Sequence, residues 1–177
     1  MTDSVTASLT PFDLATDPAL TRSRTADLAA ATPGVEWITD SRVERLSQDF
    51  YWFSPVLKRE LEGLRADAVA RPRTEDEIRR VVAGCARAGV PLTVRGSGTG
   101  NYGQCMPAHG GVILDLSAYN QLLWVKPGVG RAQAGIRMID FDKQASQGPT
   151  TGGDAGAPSR SGGWELRCVP STFRSAT

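Results

Sequence analysis

A glycine-rich stretch at residues 95–103 has the residue types best suited to binding chemistry. It reads RGSGTGNYG and follows a short apolar run that ends at Val94. Glycines let the backbone turn sharply and expose successive N–H groups, which together can form a nest for an anion. Arg95 adds a charge-assisted donor, and Ser97 and Thr99 add hydroxyl groups. The stretch predicts a loop whose N–H groups converge on a phosphate or diphosphate, and an ordinary tight turn between strands is the alternative.

Two common nucleotide-binding motifs do not fit this loop. The spelling GxGxxG occurs at residues 98–103, but the dinucleotide-binding fingerprint requires a helix to open there. Pro107 and the pair Gly110–Gly111 prevent a full helix at this point. The P-loop requires a Lys followed by Ser or Thr after the glycines, and none follows. The sequence therefore predicts a diphosphate cradle that passes from strand to loop to strand.

Few other residues suggest chemistry. His109 is the single histidine and is predicted to be a surface loop residue. An odd number of widely spaced cysteines predicts neither a disulfide framework nor a metal site, and the three are Cys85, Cys105 and Cys168. Three carboxylates are predicted to be structural or solvated, with no catalytic residue identified among them: Asp115, Asp140 and Asp142.

Length and charge narrow the class of protein. The chain has 177 residues with a net charge of +1, which predicts no nucleic-acid partner. No apolar run is long enough to span a membrane, and the N-terminus lacks the features of a secretory signal. We expect a cytoplasmic protein with reduced thiols.

The elements that position the loop are clearest between residues 64 and 136. The capping box Thr74-x-x-Glu77, a helical apolar period and the stop at Gly89 predict a helix over 74–88. Flanking apolar runs predict three strands in a parallel strand–helix–strand–loop–strand unit, at residues 68–70, 91–94 and 111–116. A hairpin of strands 122–125 and 131–136 and a short helix near 138–145 are predicted to follow.

The remaining segments have weaker signals. Residues 1–36 are predicted to form a mobile or loosely packed arm with one short helix near 25–31. Residues 37–63 are predicted to form a helical lead-in, in which the capping box Ser41-x-x-Glu44 starts a helix. The aromatic side chains of the stretch 49–53 are predicted to pack in the hydrophobic core as a core plug beside the preceding helix. Residues 146–163 lack large apolar side chains and are predicted to be a flexible insert.

Five segments in the same order resemble the FAD-linked oxidase family, which includes vanillyl-alcohol oxidase and glycolate oxidase. They are residues 68–78, 90–99, 111–116, 125–129 and 164–177. The resemblance implies an α+β FAD-binding domain of the p-cresol methylhydroxylase type. Residues 64–145 would form the first part of this domain, which consists of a small parallel strand–helix–strand subdomain and the start of an antiparallel subdomain. It also implies that the chain is incomplete at its C-terminus and lacks the family's substrate domain.

The resemblance also assigns a cofactor and its contacts. The residues implied to bind FAD in or near the first loop are Arg95, Gly96, Ser97, Gly98, Thr99, Asn101 and Tyr102. The segment 164–177 is implied to begin a second flavin-contacting stretch with Pro170, Ser171, Ala176 and Thr177. Some relatives attach the flavin to a histidine where Thr99 stands here, so the resemblance implies non-covalent FAD.

The function implied is that of an FAD-dependent oxidoreductase, in which the flavin accepts a hydride from a hydroxylated substrate. A 2-hydroxy acid or an aromatic alcohol is the implied substrate class, and the full-length protein would also need an electron acceptor. This chain alone is expected to be inactive. The alternatives are a non-catalytic nucleotide-binding remnant and a phosphate-binding regulatory module.

Overall fold

The computed structural model describes residues 17–126 and 129–147. The chain divides into two compact units, residues 1–118 and residues 119–177.

The first unit is built on a four-stranded mixed sheet. Its strands are β1 (Glu36–Ile38), β2 (Ala68–Arg71), β3 (Leu92–Arg95) and β4 (Val112–Asp115). The spatial order is β1-β2-β4-β3, with β4 parallel to both β2 and β3. β1 pairs antiparallel with β2 at the edge of the sheet. The predicted parallel unit over residues 68–116 is therefore confirmed, and the antiparallel edge strand is an addition to it.

Helix α4 (Glu75–Ala88) forms from the capping signals in its sequence. The Glu77 N–H donates to the Thr74 hydroxyl oxygen at 3.2 Å, and the Thr74 N–H donates to the Glu77 carboxylate at 3.3 Å. Gly89 ends the helix in the left-handed conformation, with a φ of 63°. The helix predicted over residues 74–88 is confirmed.

Both faces of the sheet are covered, which explains why all four residues of β4 are buried. On one face, Val112 and Leu114 pack with α4 and with Leu28 of α1 (Pro18–Ala31). On the other face, Ile113 packs with Val43 of α2 (Arg42–Leu46). The core thus draws on segments before, within and after the parallel unit.

Residues 17–36 are more regular than the loosely packed arm predicted for residues 1–36, and residues 1–16 of that arm lie outside the described residues. α1 spans 14 residues, about twice the predicted helix, and begins where the Ala19 N–H donates to Asp17 Oδ1 at 2.8 Å. Its inward-facing residues are Thr21, Thr25 and Leu28. The sequence pattern concealed this helix because two of the three buried positions are threonines.

The lead-in region contains two α-helices and a short 3₁₀ turn. The helix predicted from Ser41 is α2, but Ser41 makes no side-chain cap. The Arg42 N–H instead donates to Asp40 Oδ1 at 2.9 Å, so the predicted capping box is wrong. The 3₁₀ turn Tyr51–Phe53 and α3 (Pro55–Leu61) follow.

The prediction of an aromatic core plug is wrong for three of the four rings in residues 49–53. Tyr51 is buried, whereas Phe50, Trp52 and Phe53 are exposed by 39%, 46% and 75%. A 3₁₀ turn has three residues per turn, so successive side chains point in different directions and cannot all face one core. The exposed rings contact one another, with Phe50 and Trp52 centroids 4.9 Å apart and Trp52 and Phe53 centroids 5.6 Å apart.

The second unit contains the predicted hairpin and helix. β5 (Leu122–Lys126) pairs antiparallel with β6 (Val129–Ala132), and α5 (Met138–Ser146) follows. β6 begins two residues before the predicted strand 131–136 and ends four residues earlier, because residues 133–136 form a turn. Val125, Phe141 and Ala145 form the core of this unit. Residues 148–163 of the predicted insert, and all of 164–177, lie outside the described residues.

Candidate functional site

The glycine-rich loop leaves the carboxyl end of β3 and leads to the start of β4. Gly98 has a φ of 68°, a left-handed conformation that favours glycine. Within the described part of the chain, the backbone N–H groups of Ser97, Gly98, Thr99 and Asn101 donate to no other protein group. These donors are therefore available to an anion, as a nest requires.

Arg95 closes one side of this loop. Its Nη1 donates to the Gln48 carbonyl oxygen at 2.6 Å and lies 3.7 Å from Cys105 Sγ. A Cβ on Gly98 would overlap the guanidinium group, so a larger residue here would displace the end of the Arg95 side chain. Among residues 17–126 and 129–147, nothing accepts a hydrogen bond from Arg95 Nε or Nη2. Arg95 can thus hold the loop through Nη1 while Nε and Nη2 are available to donate to a ligand.

The lead-in makes further contacts with the loop. The Phe50 N–H donates to the Gly100 carbonyl oxygen at 2.9 Å. Asp49 is 2% exposed, and its Oδ1 accepts from the Tyr51 N–H at 2.9 Å. Asp49 Oδ2 is buried and has no hydrogen-bond partner among the described residues, and a Cβ on Gly100 would lie 3.2 Å from it. Sequence reasoning missed these contacts because nothing in the lead-in pattern fixes where it meets a loop some 50 residues later.

Burial raises the pKa of the Cys105 thiol beside the loop, an effect that the nearby Arg95 charge opposes. Burial also raises the pKa of Cys85 in α4, to about 11. Both thiols are therefore predominantly protonated at neutral pH and are weak nucleophiles.

The other residues implied to bind the cofactor are only partly within the described structure. Tyr102 is 72% exposed, and Asn101 beside it is also exposed. Pro170, Ser171, Ala176 and Thr177 lie outside the described residues. The structure thus places one of the two proposed flavin-contacting stretches.

The three carboxylates noted in the sequence have structural or solvated positions. Asp115 is buried and pairs with Arg71 Nε at 2.9 Å, and Arg71 also reaches Glu36 at 3.3 Å. Asp140 pairs with Arg137 at 2.6 Å, and this hydrogen bond lowers the pKa of the carboxyl group. Asp142 is exposed on α5, and His109 is exposed in its loop, as predicted.

Within residues 17–126 and 129–147, no three His, Cys, Asp or Glu side chains are grouped as a metal site would require. In the same residues, no helix combines the length and apolar character needed to cross a bilayer.

Solved structures with the same fold define the class of this domain. Alkyldihydroxyacetonephosphate synthase superposes with a TM-score of 0.59 at 19% identity, covering 71% of this chain and 24% of the synthase chain. Substrate-bound p-cresol methylhydroxylase superposes with a TM-score of 0.55 at 16% identity, covering 72% of this chain and 25% of the hydroxylase chain. The fold is therefore that of the p-cresol methylhydroxylase-type FAD-binding domain, as the sequence predicted.

The sequence comparisons identify the family. Residues 66–170 match the model of the FAD binding domain family, and the chain belongs to this family of FAD-linked oxidoreductases. Glycolate oxidase subunit GlcD of Bacillus subtilis (strain 168) is 44% identical over 77 residues, which are 42% of this chain and 16% of the relative. An uncharacterized oxidoreductase, ORF5 in the fasciation locus of Rhodococcoides fascians, is 39% identical over 72 residues, 41% of this chain and 16% of the relative. The chain thus spans about a sixth of these relatives.

Proposed function

We propose that residues 95–99 hold the diphosphate of a non-covalently bound FAD, with Asn101 and Tyr102 nearby. The observation that carries this proposal is the group of unpaired N–H donors at Ser97, Gly98, Thr99 and Asn101. They follow a strand in the fold that FAD-binding proteins share. Pro170, Ser171, Ala176 and Thr177 would begin a second stretch that contacts the flavin.

The residues of the loop fit a diphosphate by charge and size. Arg95 brings a permanent positive charge with Nε and Nη2 still available, and Ser97 and Thr99 bring hydroxyl donors. Gly96 has open space around it, so an oxygen atom can approach the backbone closely. Thr99 has no ring nitrogen with which to form the flavin linkage found in some relatives, which supports non-covalent binding.

In the complete protein, we propose oxidation of a hydroxylated substrate such as a 2-hydroxy acid or an aromatic alcohol, followed by electron transfer to an acceptor. The GlcD relative supports the first substrate class by its name. The bound flavin would supply the chemistry by accepting a hydride, and the residues of this chain would bind and orient it. Because the chain spans about a sixth of its relatives, we propose that it forms the N-terminal flavin-binding part and is inactive alone.

Substitution of Gly98 tests the proposed cradle. We expect the wild-type chain to bind FAD and Gly98→Val to raise the dissociation constant at least ~10-fold, because the new side chain displaces the Arg95 guanidinium. Gly63→Val is the matched control, because Gly63 also has a positive φ but has open space around it. Titration followed by flavin fluorescence measures the affinities, and release of the flavin by acid precipitation shows that it is non-covalent.

Equal affinities of wild-type protein and Gly98→Val for FAD would contradict the proposed cradle. Binding of inorganic phosphate without binding of FAD would instead favour a phosphate-binding module.

A further inference from the structure

Three consecutive residues of the lead-in, Gln48–Phe50, form a clamp on the glycine-rich loop. The Gln48 carbonyl oxygen accepts from Arg95 Nη1 at 2.6 Å, at the start of the loop. The Phe50 N–H donates to the Gly100 carbonyl oxygen at 2.9 Å, five residues further along it. The loop is therefore held at two points by one short segment, and both contacts use backbone atoms of that segment.

Asp49 lies between these two contacts and fixes the shape of the clamp. Its Oδ1 accepts from the Tyr51 N–H, which holds the backbone in the turn that directs the Phe50 N–H toward Gly100. Its other carboxylate oxygen is buried against Gly100 without a hydrogen-bond partner. An ionisable side chain that is 2% exposed and only half satisfied is costly to maintain, which argues for a role beyond filling space.

The clamp does not use the free donors of the loop. It uses the Gly100 carbonyl oxygen and one nitrogen of Arg95, and among the described residues it leaves the N–H groups of Ser97, Gly98, Thr99 and Asn101 without an acceptor. A loop that is already held in its binding conformation loses less conformational entropy when a ligand binds. The matched family segment begins at residue 66, so this preorganisation comes from outside it.

We infer that Asp49 is a positioning residue, which acts through the clamp Gln48–Phe50 to set the conformation of the loop and hence its affinity for a diphosphate. The inference rests on the proposed function of the loop. It extends that function by assigning part of the FAD affinity to residues that do not touch the cofactor.

Two pairs of variants distinguish the effect of the hydrogen bonds of the clamp from the effect of the side chains that surround it. Phe50→Pro removes the N–H that reaches Gly100, whereas Phe50→Ala removes only the ring. Asp49→Ala removes the acceptor for the Tyr51 N–H, whereas Asp49→Asn retains an oxygen in the same place. Each variant of the full chain is titrated with FAD and separately with ADP, which shares the diphosphate but lacks the flavin. Backbone N–H order parameters from NMR relaxation at residues 96–101 report on the mobility of the loop, and hydrogen exchange at residues 112–115 reports on the stability of the central strand.

We expect Phe50→Pro and Asp49→Ala to weaken FAD and ADP binding by the same factor, about fivefold or more, the loss of roughly one hydrogen bond. The order parameters of the loop should fall, and hydrogen exchange in β4 should stay unchanged. Phe50→Ala and Asp49→Asn should bind both ligands with affinities within about twofold of that of the wild type. A general loss of folded structure would not produce this difference between the two members of each pair.

Unchanged affinities in Phe50→Pro and Asp49→Ala would overturn the inference, as would loss of FAD binding with ADP binding intact, which indicates direct contact with the flavin. Faster exchange in β4 would also overturn it, because the variants would then be generally destabilised. If wild-type protein binds neither ligand, the proposed function fails, and the order parameters of the loop alone decide about the clamp. A fall confined to residues 96–101 supports it, and no fall rejects it.

Discussion

Two glycines near the proposed site differ in what an added side chain would meet. A Cβ on Gly98 would displace the end of the flexible Arg95 side chain, whereas a Cβ on Gly111 would overlap the backbone of Pro91, which cannot move aside as easily. Gly111 also connects three segments. Its carbonyl oxygen accepts from the Asp67 N–H at 2.7 Å, its N–H donates to Asp67 Oδ2 at 3.0 Å, and the following Val112 N–H donates to the Pro91 carbonyl oxygen at 2.8 Å. A ligand-binding role is thus proposed for the first glycine and a structural role is observed for the second.

Gly111→Ala should destabilise the first unit more than a positive φ alone explains. A non-glycine residue in the left-handed region costs about 1–2 kcal/mol. Overpacking against a backbone that cannot move adds about 1–3 kcal/mol. We expect Gly111→Ala to lower the free energy of unfolding by about 2–5 kcal/mol and Gly63→Ala by about 1–2 kcal/mol, because Gly63 has open space. Urea denaturation of both variants measures the difference, and equal losses would refute the steric argument.

At the scale of elements, the parallel unit depends on a helix that precedes it by some 40 residues. Leu28 of α1 is 7% exposed, and it packs so closely on α4 that a Cβ on Gly84 would overlap it. Val81, Cys85 and Leu114 belong to the same core cluster. α1 is therefore part of the folded core, although it lies before the matched family segment.

Truncation of Leu28 tests this packing. We expect Leu28→Ala to lower the free energy of unfolding by about 2–5 kcal/mol, because it leaves a cavity between α1 and α4. Leu20→Ala on the same helix is the control and should change stability by less than about 0.5 kcal/mol, since Leu20 is 42% exposed. Thermal unfolding of the two variants measures the two changes in stability. A Leu28→Ala variant as stable as the wild type would show that α1 contributes little to the stability of the fold.

The local signals in the sequence predicted α4, the three parallel strands and the hairpin. Thr74, Glu77 and Gly89 determine the ends of α4 from within a few residues, and the apolar run at 111–116 identified a strand buried on both faces. Long-range features were not predictable in this way. The strand β1 depends on pairing with β2, and the contact of Arg95 with Gln48 spans 47 residues. The position of the glycine-rich loop could thus be predicted, but not the clamp that holds it.

At the scale of the whole molecule, the chain contains a proposed cofactor site, and its match covers about a sixth of each relative. About five sixths of the GlcD relative lie outside the matched region. Substrate positioning contributes about 7–11 kcal/mol to catalysis in favourable cases, and residues that position a substrate must surround it. As the flavin-binding part proposed above, the chain should therefore bind a flavin without catalysing its reduction by a substrate.

Anaerobic mixing tests this expectation on the intact chain. The protein is reconstituted with FAD and mixed with 2-hydroxy acids or with aromatic alcohols. We expect the visible flavin band to bleach no faster than that of free FAD in buffer, because no substrate site orients a hydride donor. Dithionite serves as the control that the same flavin can be reduced. Bleaching well above the buffer rate would show that this chain alone is an active oxidoreductase.

The strand order β1-β2-β4-β3 also has a consequence for synthesis of the chain on the ribosome. The central strand is the last of the four to be made, so β2 has a partner only in β1, and β3 has none, until residues 112–115 emerge. At ~5–20 residues per second, the roughly 40 residues between β2 and β4 take about 2–8 seconds to translate. During that interval the nascent chain exposes unpaired strand edges, which are prone to associate with other chains. Insertion of β4 closes both edges in one step, so a translational pause before residues 112–115 have emerged would prolong the vulnerable state, and one after they have emerged would not.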